Sequence, residues 1–251
     1  MTILLTAYFV IAGMLLASFF NVVGLRIPEG QSIVYPGSAC PQCKKRLTWK
    51  ELIPVFSYLI QGGKCKNCEK VISPVYPIIE VSGGILFGLA YTYVGLSVEL
   101  LVALVFISLL LIISVTDIAY MLIPDKILLF FLMIILPLRI LEPLTPWWDA
   151  LLGAAVGFTL LLLIAIVSKG GMGGGDIKLY AVIGLVLGVK LTLLSFFIAT
   201  FIGTAAGLVA IYVRKKSRKD PVPFGPSIAA GAVIAYFWGQ ELISVYSGLF
   251  F

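Results

Sequence analysis

Apolar runs about twenty residues long recur along almost the whole chain, and nothing else in the sequence narrows its fold as much. They lie near residues 2–24, 75–94, 97–117, 124–141, 148–168, 177–190, 192–213 and 226–248. A bilayer's hydrocarbon core, about 30 Å thick, is crossed by roughly twenty residues of α-helix. A helix also lets a single segment satisfy its own backbone hydrogen bonds in lipid. The chain is therefore expected to be an all-α polytopic membrane protein of about eight transmembrane helices, with the lipid bilayer as a partner. Charged residues make up only 12% of it, against roughly a quarter in soluble domains, and the mean hydropathy is +1.10. The first run, TILLTAYFVIAGMLLASFFNVVG, lacks a basic n-region and a clear small-residue cleavage site before Arg26. It reads as a retained span, not a removable signal peptide.

Basic residues orient the spans, because short cytoplasmic loops retain Lys and Arg. Of 18 such residues, eight fall between positions 25 and 74. Eight more (Lys126, Lys169, Lys178, Arg214, Lys215, Lys216, Arg218 and Lys219) fall in other loops on the same side, which leaves Arg139 and Lys190 for the opposite face. Both termini are thus expected outside and the large loop inside. The domain reading is a first helix at 1–24, a cytoplasmic loop domain at 25–74 and a membrane core at 75–251. This topology, with contact to anionic headgroups, accounts for the net charge of +6. The basic residues are dispersed over several loops, so no nucleic-acid partner is expected. The chain contains no histidine, which excludes a Ser/His triad and His metal ligands. Proton transfer near neutral pH falls to carboxylates, thiols, Tyr, Lys or water.

The four cysteines share the large loop, as CPQC at 40–43 and CKNC at 65–68. Two CxxC pairs at this separation match a structural four-thiolate zinc site built from Cys40, Cys43, Cys65 and Cys68. Neighbouring lysines favour the thiolate forms. Two disulfides are the alternative, disfavoured on a reducing cytosolic face; redox catalysis is another, without a βαβ context to support it. A metal would give this loop of about fifty residues a core that its few apolar side chains hardly supply.

Ionisable groups at membrane depth are costly, which makes them functional candidates. Asp117 closes the third span in SVTDIAYMLIPD, at a helix carboxyl end where the dipole disfavours an anion. Asp125 follows Pro124 at the start of the next helix, where an acidic first-turn residue also has a purely structural reading. Asp176 sits in SKGGMGGGDIKLY among Gly170, Gly171, Gly173, Gly174 and Gly175. It reads either as an N-cap for the helix starting at Ile177 or as an acid beside a backbone stripped of side chains, where an extended peptide can approach. In the second reading Gly173, Gly174, Gly175 and Lys178 are candidate substrate contacts. Neither a P-loop nor a strand-borne GxGxxG is present. Asp117, Asp125 and Asp176 all come out on the cytoplasmic rim, with Glu80 about a turn inside the second span. Two aspartates sharing one proton can act as base toward water and acid toward a carbonyl. A metal-handling transporter and a non-catalytic assembly subunit are competing readings. The first wants more polar groups in mid-span, and the second gives the glycines and paired aspartates no purpose.

These residues resemble the type 4 prepilin leader peptidases, bifunctional enzymes with N-methyltransferase activity in the GxGD class of membrane aspartyl proteases. GGGD at 173–176 is similar to the GxGD motif, and TDIAYMLIPD at 116–125 to the segment bearing the family's first aspartate. ASFFNVVGLRIP, CPQCKKRLTWKELIPVFSYL, YPIIE at 76–80 and PFGPSIAAG extend the likeness over nearly the whole chain. The resemblance implies Asp117 and Asp176 as the catalytic pair, with Glu80 and Asp125 as supporting or methyl-transfer residues; Glu80 also reads as a buried packing residue. It implies a prepilin or pseudopilin substrate with a basic leader and an apolar helix, and S-adenosylmethionine as methyl donor, at the cytoplasmic face of a bacterial cytoplasmic membrane. One position departs: Val75 stands where the family carries Arg, in a region associated with methyl transfer.

Overall fold

The computed structural model describes residues 2–169, 171–212 and 222–250 of the chain; Gly170 and the basic run 214–219 lie outside the described residues. Its helices are α1 (Thr2–Arg26), α2 (Phe56–Ile60), α3 (Val75–Val94), α4 (Val98–Tyr120), α5 (Asp125–Leu141), α6 (Asp149–Val167), α7 (Gly174–Tyr212) and α8 (Gly225–Phe250), with a 3-10 turn at Trp49–Leu52. Among the described residues there is no β-strand, only two isolated antiparallel bridges, Ala39 with Arg46 and Lys64 with Val71. Among the described residues six helices, α1, α3, α4, α6, α7 and α8, are long and apolar enough to cross a membrane. Helix α5 has 17 residues, and α7, with 39, breaks at Gly188. The eight expected segments therefore each contain a helix, and the chain is a multi-pass membrane protein.

The chain divides into two compact units, Met1–Leu100 and Leu101–Phe251. In the first, α1 and α3 pack antiparallel. Gly13 and Gly83 meet backbone to backbone, and a Cβ at Gly84 would lie 2.7 Å from Met14 Cγ. Lipid tails are as apolar as the helices, so association in a bilayer depends on close packing, which small residues permit. The Asn21 side-chain amide adds a hydrogen bond to the Tyr76 carbonyl at 3.3 Å.

In the second unit α4 is the most enclosed of the described spans, with most of its apolar residues buried. Helices α6 and α7 approach through Gly153 against Gly184 and Gly157 against the Tyr180 carbonyl. The break in α7 falls at Gly188, held at φ +73, slightly ahead of the boundary near 190–192 expected from sequence. A left-handed residue interrupts the helical ladder and frees backbone groups that lipid cannot satisfy. Two charged side chains meet that need. Arg139, buried, donates through Nη2 to the Val186 carbonyl at 2.8 Å, and Asp149 accepts the Val189 amide at 3.3 Å. Arg139, which the charge count leaves for the outer face, is buried and caps a half-helix. A side chain at 188 would also collide with the Asp149 carboxylate. Gly188→Ala is expected to lower the thermal unfolding midpoint in detergent more than Asp149→Ala. The first adds about 1–2 kcal/mol of left-handed strain to a collision, whereas the second leaves one amide unpaired, at about 1–3 kcal/mol. Equal midpoints for both variants and the parent would contradict this account of the break.

Candidate active site and metal centre

Asp117 lies in the last turn of α4, where the Met121 amide bonds back to the Asp117 carbonyl at 2.9 Å. The chain then turns through Met121 at φ +52. The Asp117 side chain is only 7% exposed. Gly225, the first residue of α8, donates its amide to Asp117 Oδ2 at 2.6 Å. A Cβ at 225 would stand 2.8 Å from Asp117 Cβ, so the backbone reaches this carboxylate only because the residue is glycine. Gly225 was not singled out from sequence, although PFGPS, a glycine between prolines at a helix start, carried the signal.

Asp176 is not the N-cap of its helix. Helix α7 begins at Gly174, which puts Asp176 inside the first turn, with its amide on the Gly173 carbonyl at 3.1 Å. The three preceding glycines differ in their surroundings. A Cβ at Gly173 would lie 3.0 Å from Asp176 Oδ2, one at Gly175 would lie 2.7 Å from Ile123 Cβ, and one at Gly174 would meet nothing within 4 Å. Gly175 therefore serves helix packing and Gly173 clears the carboxylate; only Gly174 faces open space. Gly174→Ala is expected to keep turnover at this site within about threefold of the parent, whereas Gly173→Ala and Gly175→Ala lower it by at least about tenfold, roughly 1.4 kcal/mol in the barrier. Initial rates on one substrate check this ordering.

Asp125 is the first residue of α5. Both of its carboxylate oxygens receive Lys178 Nζ, at 2.7 and 2.8 Å. Both side chains are more than half exposed, so the pair adds at most about 1 kcal/mol. Its effect is registration: with Ile123 against Gly175, it joins the α4–α5 turn to the first turns of α7. Asp117 and Asp176 thereby come within electrostatic range of each other. Glu80 belongs to the other unit, buried on α3, where its Oε2 accepts the Val55 amide at 2.8 Å.

The cysteine loop is built from two copies of one turn, 25 positions apart in sequence. The Lys44 amide bonds to the Cys40 carbonyl at 2.9 Å, as the Glu69 amide does to Cys65. Each turn ends in a left-handed residue, Lys44 at φ +58 and Glu69 at φ +55. The Cys40 and Cys68 sulfurs are 3.8 Å apart and those of Cys43 and Cys65 4.0 Å, about twice an S–S bond. All four lie within 4.8 Å of one another. Zn–S bonds of about 2.3 Å in tetrahedral array need sulfurs only slightly closer than this, so the donor set fits a soft divalent ion. Backbone amides prepare it. The Lys45 amide pulls the Cys43 thiol down to about 6, and the Asn67 and Cys68 amides lower Cys65. Although the Lys70 amide acts the other way, burial and the neighbouring cysteines push Cys68 up to about 11. A cation is what would let all four ionise together.

Comparison with known proteins finds two family models along the chain. The family model for the bacterial peptidase A24 N-terminal domain matches residues 11–94, and that for the type IV leader peptidase family matches residues 104–208. A prepilin leader peptidase/N-methyltransferase of Bacillus subtilis is 49% identical over 94% of this chain and 95% of its own length. Proteins of the same name from Pseudomonas aeruginosa and Pseudomonas putida are 30% and 33% identical, each over 94% of this chain and over 91% and 93% of their own lengths. No solved structure matches the chain significantly. On identity and coverage alike, the chain belongs to the type IV leader peptidase family.

Proposed function

We propose that this protein removes the leader of a prepilin or pseudopilin with the carboxylates of Asp117 and Asp176, and then N-methylates the new amino terminus. The convergence of a buried aspartate and a second one behind a glycine stretch is the observation that supports this reading most. In the reaction one carboxylate, ionised, takes a proton from water as the water oxygen adds to the scissile carbonyl carbon. The other, protonated, gives its proton to the carbonyl oxygen. Collapse of the resulting diol breaks the C–N bond; the leaving nitrogen takes up a proton, and both products carry full valences. The Gly225 amide and the clearance at Gly173 orient the two carboxylates, while Lys178 and Asp125 hold α5 and α7 in register.

The Lys and Arg bias supports a site at the cytoplasmic rim with both termini outside, where a basic leader meets the acidic groups and the following apolar helix stays in lipid. The loop domain 25–74, stapled by zinc on Cys40, Cys43, Cys65 and Cys68, serves methyl transfer, and the helices beyond it serve cleavage. S-adenosylmethionine, when bound, supplies an electrophilic methyl group to the freed amine. Purified protein, a synthetic prepilin and a mass spectrum taken with and without S-adenosylmethionine test both activities. The expected products are a peptide shortened by its leader, and the same peptide one methyl group heavier. An intact substrate after prolonged incubation with active, folded protein would overturn the reading.

A further inference from the structure

Within the first unit, a cleft of about 410 Å³ is lined by α1, α3 and the cysteine loop, a size typical of small-molecule sites. Its walls carry acceptors that the fold leaves incompletely used. Asn21, 2% exposed, donates its Nδ2 to the Tyr76 carbonyl. That bond fixes the orientation of the amide, and Oδ1 is the atom left without a partner. A buried acceptor in that state costs about 1–3 kcal/mol, a cost that a bound donor removes. Glu80, 8% exposed, brings a carboxylate to the same wall. Its bond from Val55 holds that residue at φ +63, a strained conformation of the kind that concentrates at functional sites. Tyr58 and Tyr76 add aromatic surface, and Arg26 and Lys70 add cationic groups.

We infer that this cleft holds the methyl donor, with Asn21 and Glu80 accepting hydrogen bonds and positive charge from it, and Arg26 or Lys70 meeting its carboxylate. The inference rests on the methyl-transfer activity proposed above. The chemistry agrees group by group: the donor offers a sulfonium cation, hydroxyl and amino donors, a flat base for the tyrosines and one carboxylate. An acyl chain would leave the Asn21 acceptor without a donor and press apolar groups against the Glu80 carboxylate. A lone phosphate would meet the Glu80 charge.

Binding to the detergent-purified full-length protein tests it directly. Equilibrium dialysis with S-adenosylmethionine and, separately, S-adenosylhomocysteine is expected to give one bound equivalent of each. Asn21→Leu should weaken both by at least about tenfold. Glu80→Gln should weaken the cationic donor several-fold more than the uncharged homocysteine analogue, a difference that a merely structural role would not produce. Photocrosslinked donor should label peptides containing residues 18–26 or 70–80, which locates the site without any variant. If the parent methylates but both variants bind as it does, or the label falls elsewhere, the cleft assignment is overturned and the methyl-transfer reading stands. If the parent neither binds nor methylates, both fall.

Discussion

Asp117→Asn and Asp176→Asn are each expected to lower leader cleavage by at least about a thousandfold, or about 4 kcal/mol in the barrier. Asparagine keeps the size of the side chain and an oxygen able to accept the Gly225 amide, which Asp117 takes at 2.6 Å, but it neither takes nor gives a proton at working pH. The fold should therefore survive, with an unfolding midpoint within a few degrees of the parent and normal membrane insertion. Two carboxylates acting as one unit are not additive, so the double variant should be no slower than either single one. Methylation of a peptide supplied already cleaved should persist in all three, since the groups inferred to hold the methyl donor lie in the Met1–Leu100 unit. Cleavage of a labelled prepilin, followed over hours by mass spectrometry, checks this. Parental rates in either single variant would remove that aspartate from the chemistry.

The aspartates and cysteines were legible because their types and local spacing carry their chemistry. CxxC pairs and GGGD announce a ligand set and an acid wherever the chain goes. The spans were legible for a similar reason, since membrane thickness sets the length of an apolar run. What escaped were the partners that a fold brings from far along the chain. Gly225 reaches Asp117 across 108 positions, and Arg139 reaches the Val186 carbonyl across 47. No local pattern records either contact. A charge count assigns Arg139 to a face but not to a partner, and its use by a carbonyl freed at Gly188 depends on a contact from far along the chain. Asp176 was read as a possible cap because an aspartate directly before an apolar helical run fits the N-cap position, but the glycines here are themselves helical from Gly174. Gly175 was expected to face a substrate, yet it packs on Ile123, a contact that exists only once α7 meets the α4–α5 turn.

Replacing Cys40 and Cys65 by serine together is expected to take bound zinc from about one equivalent to none and to abolish methylation while sparing cleavage. Each of the two turns would lose a thiolate, and two thiolates rarely hold a structural ion that four are needed to enclose. Structural zinc sites contribute on the order of 10 kcal/mol to the folding of small domains, and the loop has little else: among its large apolar residues Val34, Trp49, Phe56, Leu59 and Ile60 are all exposed. Without the ion, the segment near 25–74 should become open to protease within minutes, where the parent resists. Because Cys40 and Cys65 also line the cleft that α1 and α3 complete, donor binding should be lost with the metal. The Asp117 and Asp176 carboxylates depend on contacts from α5, α7 and α8, all within the Leu101–Phe251 unit, so cleavage should stay within about tenfold of the parent. Metal analysis, limited proteolysis and the two activity measurements on one preparation separate these effects. Full metal content in the double variant would show that the four thiolates do not form one site. Loss of cleavage to the level of Asp117→Asn would show that the loop, and not the aspartates' own surroundings, holds the peptidase centre together.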